Sequence, residues 1–191
     1  MHFFRMLTLT AWTALAMASS VCAQGITVVT EEYPPYNFLD GNKKISGMAT
    51  EVVEEVLKRA GLDYKLAMYP WARAYQLAQD APNVLIYSIG RSEQRESLFK
   101  WVDVIAPYDV YLYRLKSRAD IKATRLADVR HFKIGAVRDD VRAQYLQKEG
   151  LKPDLVNDDS ANVKKLATAR IDMFPIDEFG MVGLYQREGI D

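Results

Sequence analysis

The stretch NVLIYSIGRSEQRE, residues 83–96, decides the fold class. Its apolar first half predicts a strand buried on both faces, and Gly90 then breaks the run. The second half predicts a helix capped by Ser92, with Arg95 in its first turn. In a parallel α/β unit, the loop after a strand's carboxyl end faces the crevice in which ligands bind. Both Arg91 and Arg95 are therefore candidate ligand-binding residues.

A guanidinium in the first turn of a helix opposes the helix dipole, at a cost of about 0.3–1 kcal/mol, and calls for a nearby anion. Arginine presents a planar fork that matches a carboxylate, so the anion can belong to a ligand. Alternatively, Arg91 and Arg95 pair on the surface with neighbouring acids. Three such acids lie close in sequence: Glu93, Glu96 and Asp103.

The same alternation of short apolar runs and amphipathic segments covers the chain from residue 26 onward. Strands are predicted at residues 26–30, 64–69, 83–89, 110–115, 132–137, around Leu155, and at 171–176; helices are predicted at 47–60, 70–79, 139–149, 161–170 and from 177. The first helix is expected to bury a face made of Met48, Val52, Val56, Leu57 and Ala60, and Ser160 is expected to cap the helix at 161–170.

A polar joint at residues 116–125 separates two such α/β units, so we expect two lobes with mostly parallel sheets and a ligand-binding cleft between them. Residues 24–116 are assigned to the first lobe and residues 117–191 to the second.

Residues 1–23 have the order of a secretory signal peptide: one positive charge, an uncharged apolar run, then short residues before Gln24. A membrane anchor is the alternative, but the apolar run is short for a span. We expect cleavage and a periplasmic location. Cys22 is the sole cysteine, so the mature chain would have no disulfide.

The charge balance, with 25 basic and 25 acidic residues, gives no support for a nucleic-acid partner. Apart from His2 in the signal segment, His131 is the one histidine, and without cysteines beside it a transition-metal site is not expected. No cofactor is expected either.

Further candidates stand at predicted strand ends. Tyr33 and Tyr36, in a loop stiffened by two prolines, either stack on a ligand or cover a core edge. Trp71 either flanks a ligand or belongs to the core. Arg73 either flanks a ligand or lies on the surface. Asp177 either holds an amine or caps the following helix, and the two roles are compatible.

Four segments resemble the family-3 periplasmic solute-binding proteins that serve ABC importers for polar amino acids. They are EEYPPYNFLDGNKKISGMATEVVEEVLKRAG (31–61), SIGRSEQRESLFKWVDVIAPY (88–108), FKIGAV (132–137) and RIDMFPIDE (170–178). The resemblance runs from about Ile26 to the end. It implies a two-lobed type II periplasmic-binding-protein-like fold.

The resemblance also implies roles for particular residues. Arg95 matches the arginine that binds a ligand carboxylate, and Ser88 matches a serine that commonly contributes. Tyr33 matches the aromatic residue that stacks on the ligand, and Asp177 matches the aspartate that takes the ligand's amine.

Three features depart from the family pattern. The turn after FKIGAV is Arg138–Asp139–Asp140 instead of a Gly-Thr type, so two acids would repel a ligand carboxylate there. Gly90 stands where a small hydroxyl residue is common. The chain also ends inside the second lobe, so the return to the first lobe is expected to be missing.

The sequence therefore predicts a monomeric periplasmic protein that binds a small polar solute and delivers it to an inner-membrane ABC permease. An enzyme on the same fold, similar to cyclohexadienyl dehydratase or to a lytic transglycosylase, is the alternative. It would use a carboxylic acid: Glu31, Glu32, Asp139, Asp140 or Glu178. A third possibility is the ligand-sensing module of a receptor.

Overall fold

The structure is a computed structural model that describes residues 25–189, so the predicted signal peptide lies outside the described residues. The strands are β1 (Ile26–Thr30), β2 (Phe38–Leu39), β3 (Ile45–Ser46), β4 (Tyr64–Met68), β5 (Val84–Ile86), β6 (Val110–Arg114), β7 (Gly135–Val137), β8 (Asp154–Val156) and β9 (Met173–Asp177). The α-helices are α1 (Met48–Arg59), α2 (Trp71–Asp80), α3 (Val141–Lys148), α4 (Asp159–Ala167) and α5 (Glu178–Glu188). These elements form two α/β lobes, as the sequence predicts.

The first lobe is built on a parallel three-stranded sheet in the order β4-β1-β5. β-Branched residues suit the central strand β1, where Val28 and Val29 are fully buried. β5 is shorter than predicted and lies at the edge of this sheet, so its residues are only partly buried and the expected burial on both faces is wrong. The carboxyl ends of β1 and β5 meet at one edge of the sheet and set the position of the site.

The apolar face predicted for α1 is correct at Leu57, which is buried, and wrong at most of its other positions. Met48, Val52 and Val56 are about half exposed, and the helix instead buries the neighbouring face that carries Ala49 and Val53. Two apolar stripes run along this helix. The buried stripe of Ala49, Val53 and Leu57 packs in the same apolar cluster as Val28 of β1.

The second lobe combines parallel and antiparallel pairing. β7 pairs in parallel with β8, a parallel bridge joins Ile134 to Met173 of β9, and β9 runs antiparallel to β6. The pairing of β6 therefore lies with this lobe, although the sequence-based boundary at residue 116 placed it with the first. Asp158 caps α4 by accepting a hydrogen bond from the Ala161 backbone, and the predicted cap, Ser160, lies inside the helix.

The two lobes share apolar cores. Tyr33 and Tyr36 of the first lobe belong to the same buried cluster as Phe174 and Ile176 of β9. A second shared cluster packs Trp71 against β7 and β8. We call this contact region the seam: Glu31, Tyr33, Tyr36, Trp71 and Arg95 on one side, and residues 137–142, Val156, Asp159 and Asp177 on the other.

Helix α5 lies close to the first loop of the chain. A Cβ atom built on Gly183 would come 2.6 Å from the Pro34 carbonyl oxygen, and one built on Gly180 would come 2.8 Å from the Tyr33 hydroxyl. The close approach therefore requires glycine at these helix positions. Over residues 25–189, none of the helices has the length and apolarity needed to cross a membrane.

Candidate functional site

Asp177 is the last residue of β9, and only 3% of its surface is exposed. Its carboxylate accepts a hydrogen bond from the Gly180 backbone N–H at 2.9 Å, which caps α5. The hydroxyls of Tyr33 and Tyr36 also donate to this carboxylate, the latter at 2.9 Å. The capping role foreseen for Asp177 is thus present, and the remaining donors come from the other lobe.

The rings of Tyr33 and Tyr36 stack on each other, with centroids 5.7 Å apart and planes 10° from parallel. Burial raises the pKa of the Tyr33 hydroxyl well above its usual value. Burial, followed by the hydrogen bond to Asp177, raises the pKa of Tyr36. Both hydroxyls are therefore neutral donors at physiological pH. The two aromatic rings of the first loop lie at the seam and also belong to the buried core cluster.

Arg95 lies in a three-residue 3₁₀ turn, Glu93–Arg95, in place of the predicted helix, so its charge does not stand in the first turn of an α-helix. The Ser92 side chain makes no capping hydrogen bond. Arg95 is only 1% exposed. Its Nη1 donates to the Gly90 carbonyl and its Nη2 to the Asp139 carbonyl across the seam, each at 2.9 Å.

Two aromatic rings enclose the Arg95 guanidinium. Its Cζ lies 5.2 Å from the centre of the Trp71 ring and 4.8 Å from that of Tyr75. Such cation–π contacts hold a guanidinium in place without neutralising its charge. Within residues 25–189, Arg95 forms no ion pair with a carboxylate. The surface-pairing alternative therefore does not describe Arg95.

Arg142, which the sequence analysis missed, lies at the centre of a buried charge cluster. Its guanidinium contacts the Asp140 carboxylate at 2.7 Å and the Asp159 carboxylate at 2.8 Å, and it donates to the Pro175 carbonyl at 3.0 Å. It also lies 5.7 Å from the centre of the Tyr33 ring. Asp140 additionally caps α3 by accepting a hydrogen bond from the Arg142 backbone N–H.

This cluster changes the interpretation of the acidic turn at 138–140. Asp140 is bound to Arg142, and the positive charge of Arg142 contributes to a lowered pKa of the Asp140 carboxyl. Its negative charge is thus largely compensated and repels a ligand carboxylate less than the sequence suggests. Asp139 has a left-handed backbone, with φ of 60°, and its carbonyl accepts the bond from Arg95.

Glu31 directly follows β1, and its carboxyl group is buried at the seam. Burial raises its pKa well above the usual value, and the negative charges of Asp140 and Asp159 raise it further. Arg142 opposes this effect but already binds those two carboxylates. The Glu31 carboxyl group is consequently favoured in its neutral form.

The remaining predicted residues, Ser88, Arg91 and Arg73, make their contacts away from the Asp177 and Arg95 groups. The Ser88 hydroxyl donates to the Asn37 side-chain oxygen. Arg91 pairs with Glu96 on the surface, as its alternative interpretation proposed, and Arg73 is exposed with its guanidinium 4.4 Å from the centre of the Tyr69 ring. The structure thus brings together Tyr33, Tyr36 and Asp177, and separately Trp71 with Arg95.

A cavity of about 910 Å³ lies beside β6 and α3, and its lining is mainly apolar. Tyr111, Tyr145 and Met173 contribute to this lining outside the seam, and Val141 and Arg142 of the seam also border the cavity, as does Arg91. The cavity therefore adjoins the second-lobe side of the seam. Among residues 25–189, no group of three or more His, Cys, Asp or Glu side chains is arranged to hold a metal ion.

The contacts at the seam show which kinds of bond each charged group forms. Asp177 receives three hydrogen-bond donors, the number that an ammonium group offers. Arg95 donates to an oxygen that the other lobe supplies. The seam thus pairs an acceptor for a cation with a donor for an oxygen-bearing group, one from each lobe.

Solved structures with the same fold include those of binding proteins and of a related sensor. An ancestral arginine-binding protein bound to arginine matches with a TM-score of 0.74 at 19% identity, over 86% of this chain and 75% of that one. A histidine kinase sensor domain with similarity to periplasmic binding proteins matches with a TM-score of 0.76 at 20% identity, over 87% and 73%. An ancestral amino acid-binding protein, a precursor of cyclohexadienyl dehydratase, matches with a TM-score of 0.72 at 16% identity, over 87% and 77%.

These likenesses establish the two-lobed type II fold. No curated protein matches the chain at the sequence level. The family model for bacterial extracellular solute-binding proteins, family 3, matches residues 26–173, which is more than half of the chain. This chain therefore belongs to the family-3 bacterial extracellular solute-binding proteins.

Proposed function

We propose that the chain binds a small solute carrying both an ammonium group and a carboxylate, an amino acid or a close analogue, between its two lobes. One observation carries the proposal. Asp177 and Arg95 have opposite charges and belong to different lobes, and each bonds to the lobe opposite its own. A solute with complementary charges at its two ends would contact both.

On binding, hydrogen bonds between the lobes are replaced by bonds to the solute. The ammonium group replaces the tyrosine hydroxyls at Asp177, and an oxygen of the carboxylate replaces the Asp139 carbonyl at Arg95. Tyr33 and Tyr36 then stack against the solute. Ser88 and Trp71 line its other side, and Arg73 and Arg91 stand further out at the entrance. Because the two charged groups belong to different lobes, the solute favours the closed arrangement over the open one.

We further propose that the chain is exported through a cleaved signal peptide and delivers its solute to an ABC permease that recognises the closed form. Membership of an extracellular solute-binding family supports this role. Arginine and glutamine are bound in structures of ancestral arginine-binding proteins with this fold, so amino acids are the first solutes to test.

A thermal-shift screen tests the proposal, because a ligand that binds only the folded protein raises its melting temperature. The screen contains the twenty common amino acids, linear polyamines and small organic acids. We expect at least one amino acid to raise the melting temperature of the wild type but not that of the Asp177→Asn variant. Arg59→Ala is the control, since this arginine pairs with Glu55 on the exposed surface of α1. If only polyamines or only organic acids shift the melting temperature, the two-charge model is wrong.

The second candidate function is acid catalysis in the same place, and the buried carboxyl group of Glu31 favours it. A carboxyl group whose pKa is raised by burial keeps its proton to a higher pH and can donate it to a leaving group. Turnover of prephenate or of a peptidoglycan fragment, lost in a Glu31→Gln variant, would support this function. Tight binding of an amino acid without turnover would support the first.

A further inference from the structure

The cavity of about 910 Å³ beside β6 and α3 is distinct from the Asp177 and Arg95 groups, since neither residue lines it. Its walls come from β6, from the segment at residues 121–126 and from α3. Cavities of about 300–1,000 Å³ are typical of small-molecule sites in proteins. The second lobe therefore offers a space large enough for a ligand of its own.

The inner wall of this cavity is apolar and already formed. Ile121, Val129, Leu146 and Met173 line the cavity, and all four are buried members of one core cluster. The packing of the second lobe therefore holds this wall in place without a ligand. A ligand that lies against it must have an apolar body, because a polar one would lose its hydrogen bonds to water.

The outer wall of the cavity carries two exposed aromatic rings. Tyr111 of β6 is 58% exposed, and Tyr145 of α3 is 57% exposed. Val110, at the start of β6, extends the same exposed apolar surface. Contiguous exposed apolar surface marks a binding site more often than single exposed residues do. Tyrosine rings also offer a large apolar contact area to a ligand.

The charges around the cavity all have one sign. The lining contains no Asp or Glu but five basic residues: Arg91, Arg114, Lys122, Arg125 and Arg142. Three of the five already pair with carboxylates outside the lining. Arg114 and Lys122 are exposed and form no ion pair within residues 25–189. The Arg114 guanidinium donates instead to the Leu115 carbonyl at 2.9 Å.

The acid nearest to these two cations is already engaged. Asp120 binds Arg118 at 2.9 Å, and this hydrogen bond is the main cause of the lowered pKa of the Asp120 carboxyl, to which the charge of Arg114 adds a smaller effect. Arg114 and Lys122 thus remain free to attract an anion from solution. Opposite charges placed at the edge of an apolar pocket fix the orientation of a ligand that carries one charged end.

We propose that this cavity binds an apolar organic anion, which has a ring or alkyl body and one terminal acid group. The body packs between Tyr111, Tyr145 and the buried wall, and the acid group lies beside Arg114 and Lys122. A free amino acid does not match this lining, because no carboxylate is present for its ammonium group. The proposal concerns a different place and a different class of ligand from the proposed function, so either can fail without the other.

Two fluorescent probes with the same carbon skeleton test the body and the acid group separately. 8-Anilinonaphthalene-1-sulfonate carries one negative charge, and N-phenyl-1-naphthylamine lacks the sulfonate and is neutral. Titration of each probe into the whole chain gives its dissociation constant. We expect the anionic probe to bind the wild type more tightly than the neutral one, and decanoate to displace it better than 1-decanol. Failure of both probes to bind the wild type would overturn the site.

A double variant, Arg114→Gln with Lys122→Gln, tests recognition of the acid group. The matched control is Lys44→Gln with Lys65→Gln, because these lysines are exposed in the first lobe and the change in net charge is the same. At low salt we expect the first variant to weaken the anionic probe by about tenfold, the effect of two nearby charges in water, and to leave the neutral probe unchanged. No loss, or an equal loss in the control, would overturn the assignment of the acid group.

Two single variants, Tyr111→Ala and Tyr145→Ala, test where the apolar body lies. We expect each to weaken both probes by about tenfold, because the probes lose apolar contact. Such dyes also bind exposed apolar surface that forms no cavity. Val52→Ala and Val56→Ala, on the exposed stripe of α1, are therefore the controls and should bind as the wild type does. Binding that survives both tyrosine substitutions would overturn the site.

A second copy of the chain is the competing occupant of this cavity. Sedimentation equilibrium over a wide range of protein concentration distinguishes it from a small anion. We expect the mass of a monomer, with and without decanoate. A dimer that forms in the wild type and dissociates in Tyr111→Ala would make the cavity an interface between copies and would overturn the small-molecule site.

Discussion

Tyr33 of the first lobe donates its hydroxyl hydrogen to the carboxylate of Asp177 in the second, across 144 residues of sequence. Tyr36 makes the same kind of bond to the other carboxylate oxygen. Both lobes are thus joined through one acid that also caps α5. A solute that binds Asp177 must compete with these hydroxyls. The contacts that hold the lobes together therefore lower the net affinity for the solute.

The first prediction concerns these hydroxyls. Tyr36→Phe keeps the ring and removes one donor to a buried carboxylate, and we expect the free energy of unfolding to fall by about 1.5–3 kcal/mol. Urea denaturation measures this change. Tyr145→Phe is the control, because this ring is 57% exposed, and it should change the free energy by less than about 0.5 kcal/mol. Equal effects would mean that the Tyr36 bond does not form in solution.

The second prediction concerns the buried cluster around Arg142. Arg142→Met leaves the Asp140 and Asp159 carboxylates buried without a cation, and we expect a loss of about 3–5 kcal/mol in the free energy of unfolding. The exposed pair of Arg91 with Glu96 provides the contrast, since solvent screens this pair and Arg91→Ala should change the free energy of unfolding far less. Chemical denaturation of both variants gives the comparison, and similar losses would contradict burial of the cluster.

The third prediction is a pH dependence that Glu31 causes. Its pKa in the folded protein lies above the ordinary value of 4.5, so the folded state favours the protonated form. The resulting stabilisation is complete below about pH 4.3 and is lost as the pH rises through the folded pKa. The melting temperature of the wild type should therefore fall more between pH 5 and pH 8 than that of Glu31→Gln. Parallel curves would show that Glu31 is not buried in this way.

The fourth prediction concerns the packing of α5 on the first loop. Alanine favours the helical backbone over glycine by about 1 kcal/mol. In Gly183→Ala, however, the added Cβ would come 2.6 Å from the Pro34 carbonyl oxygen. We expect net destabilisation of about 1–3 kcal/mol, typical of overpacking. Gly41→Ala, with no atom within 4 Å of the added Cβ, should be close to neutral. Stabilisation by Gly183→Ala would mean that α5 lies further from the loop.

The sequence predicted the alternation of strands and helices because β-branched runs and glycine or proline breaks are local signals. It also placed Tyr33 and Arg95 on one side of a cleft and Asp177 on the other, since the loop after a strand's carboxyl end faces the crevice. The buried face of α1 was misjudged because this helix has two apolar stripes and local pattern does not choose between them.

The Arg142 cluster could not be predicted in the same way. Its guanidinium meets Asp140 two residues away but also Asp159 in another helix and the Pro175 carbonyl in β9. Such contacts depend on how β7, α4 and β9 pack together, and a sequence shows only many arginines and aspartates. The one available signal was the acidic pair after strand β7, which matched no expected ligand contact.

Calorimetric titration with the amino acid that gives the largest thermal shift tests the two-charge model most directly. It compares the wild type with Arg95→Gln and with Asp177→Asn, which keeps an N-cap acceptor but no charge. We expect each variant to bind at least about 100-fold more weakly, because each removes one partner of a desolvated charge pair. Unchanged affinity in either variant would contradict the claim that Arg95 and Asp177 hold the two ends of the solute.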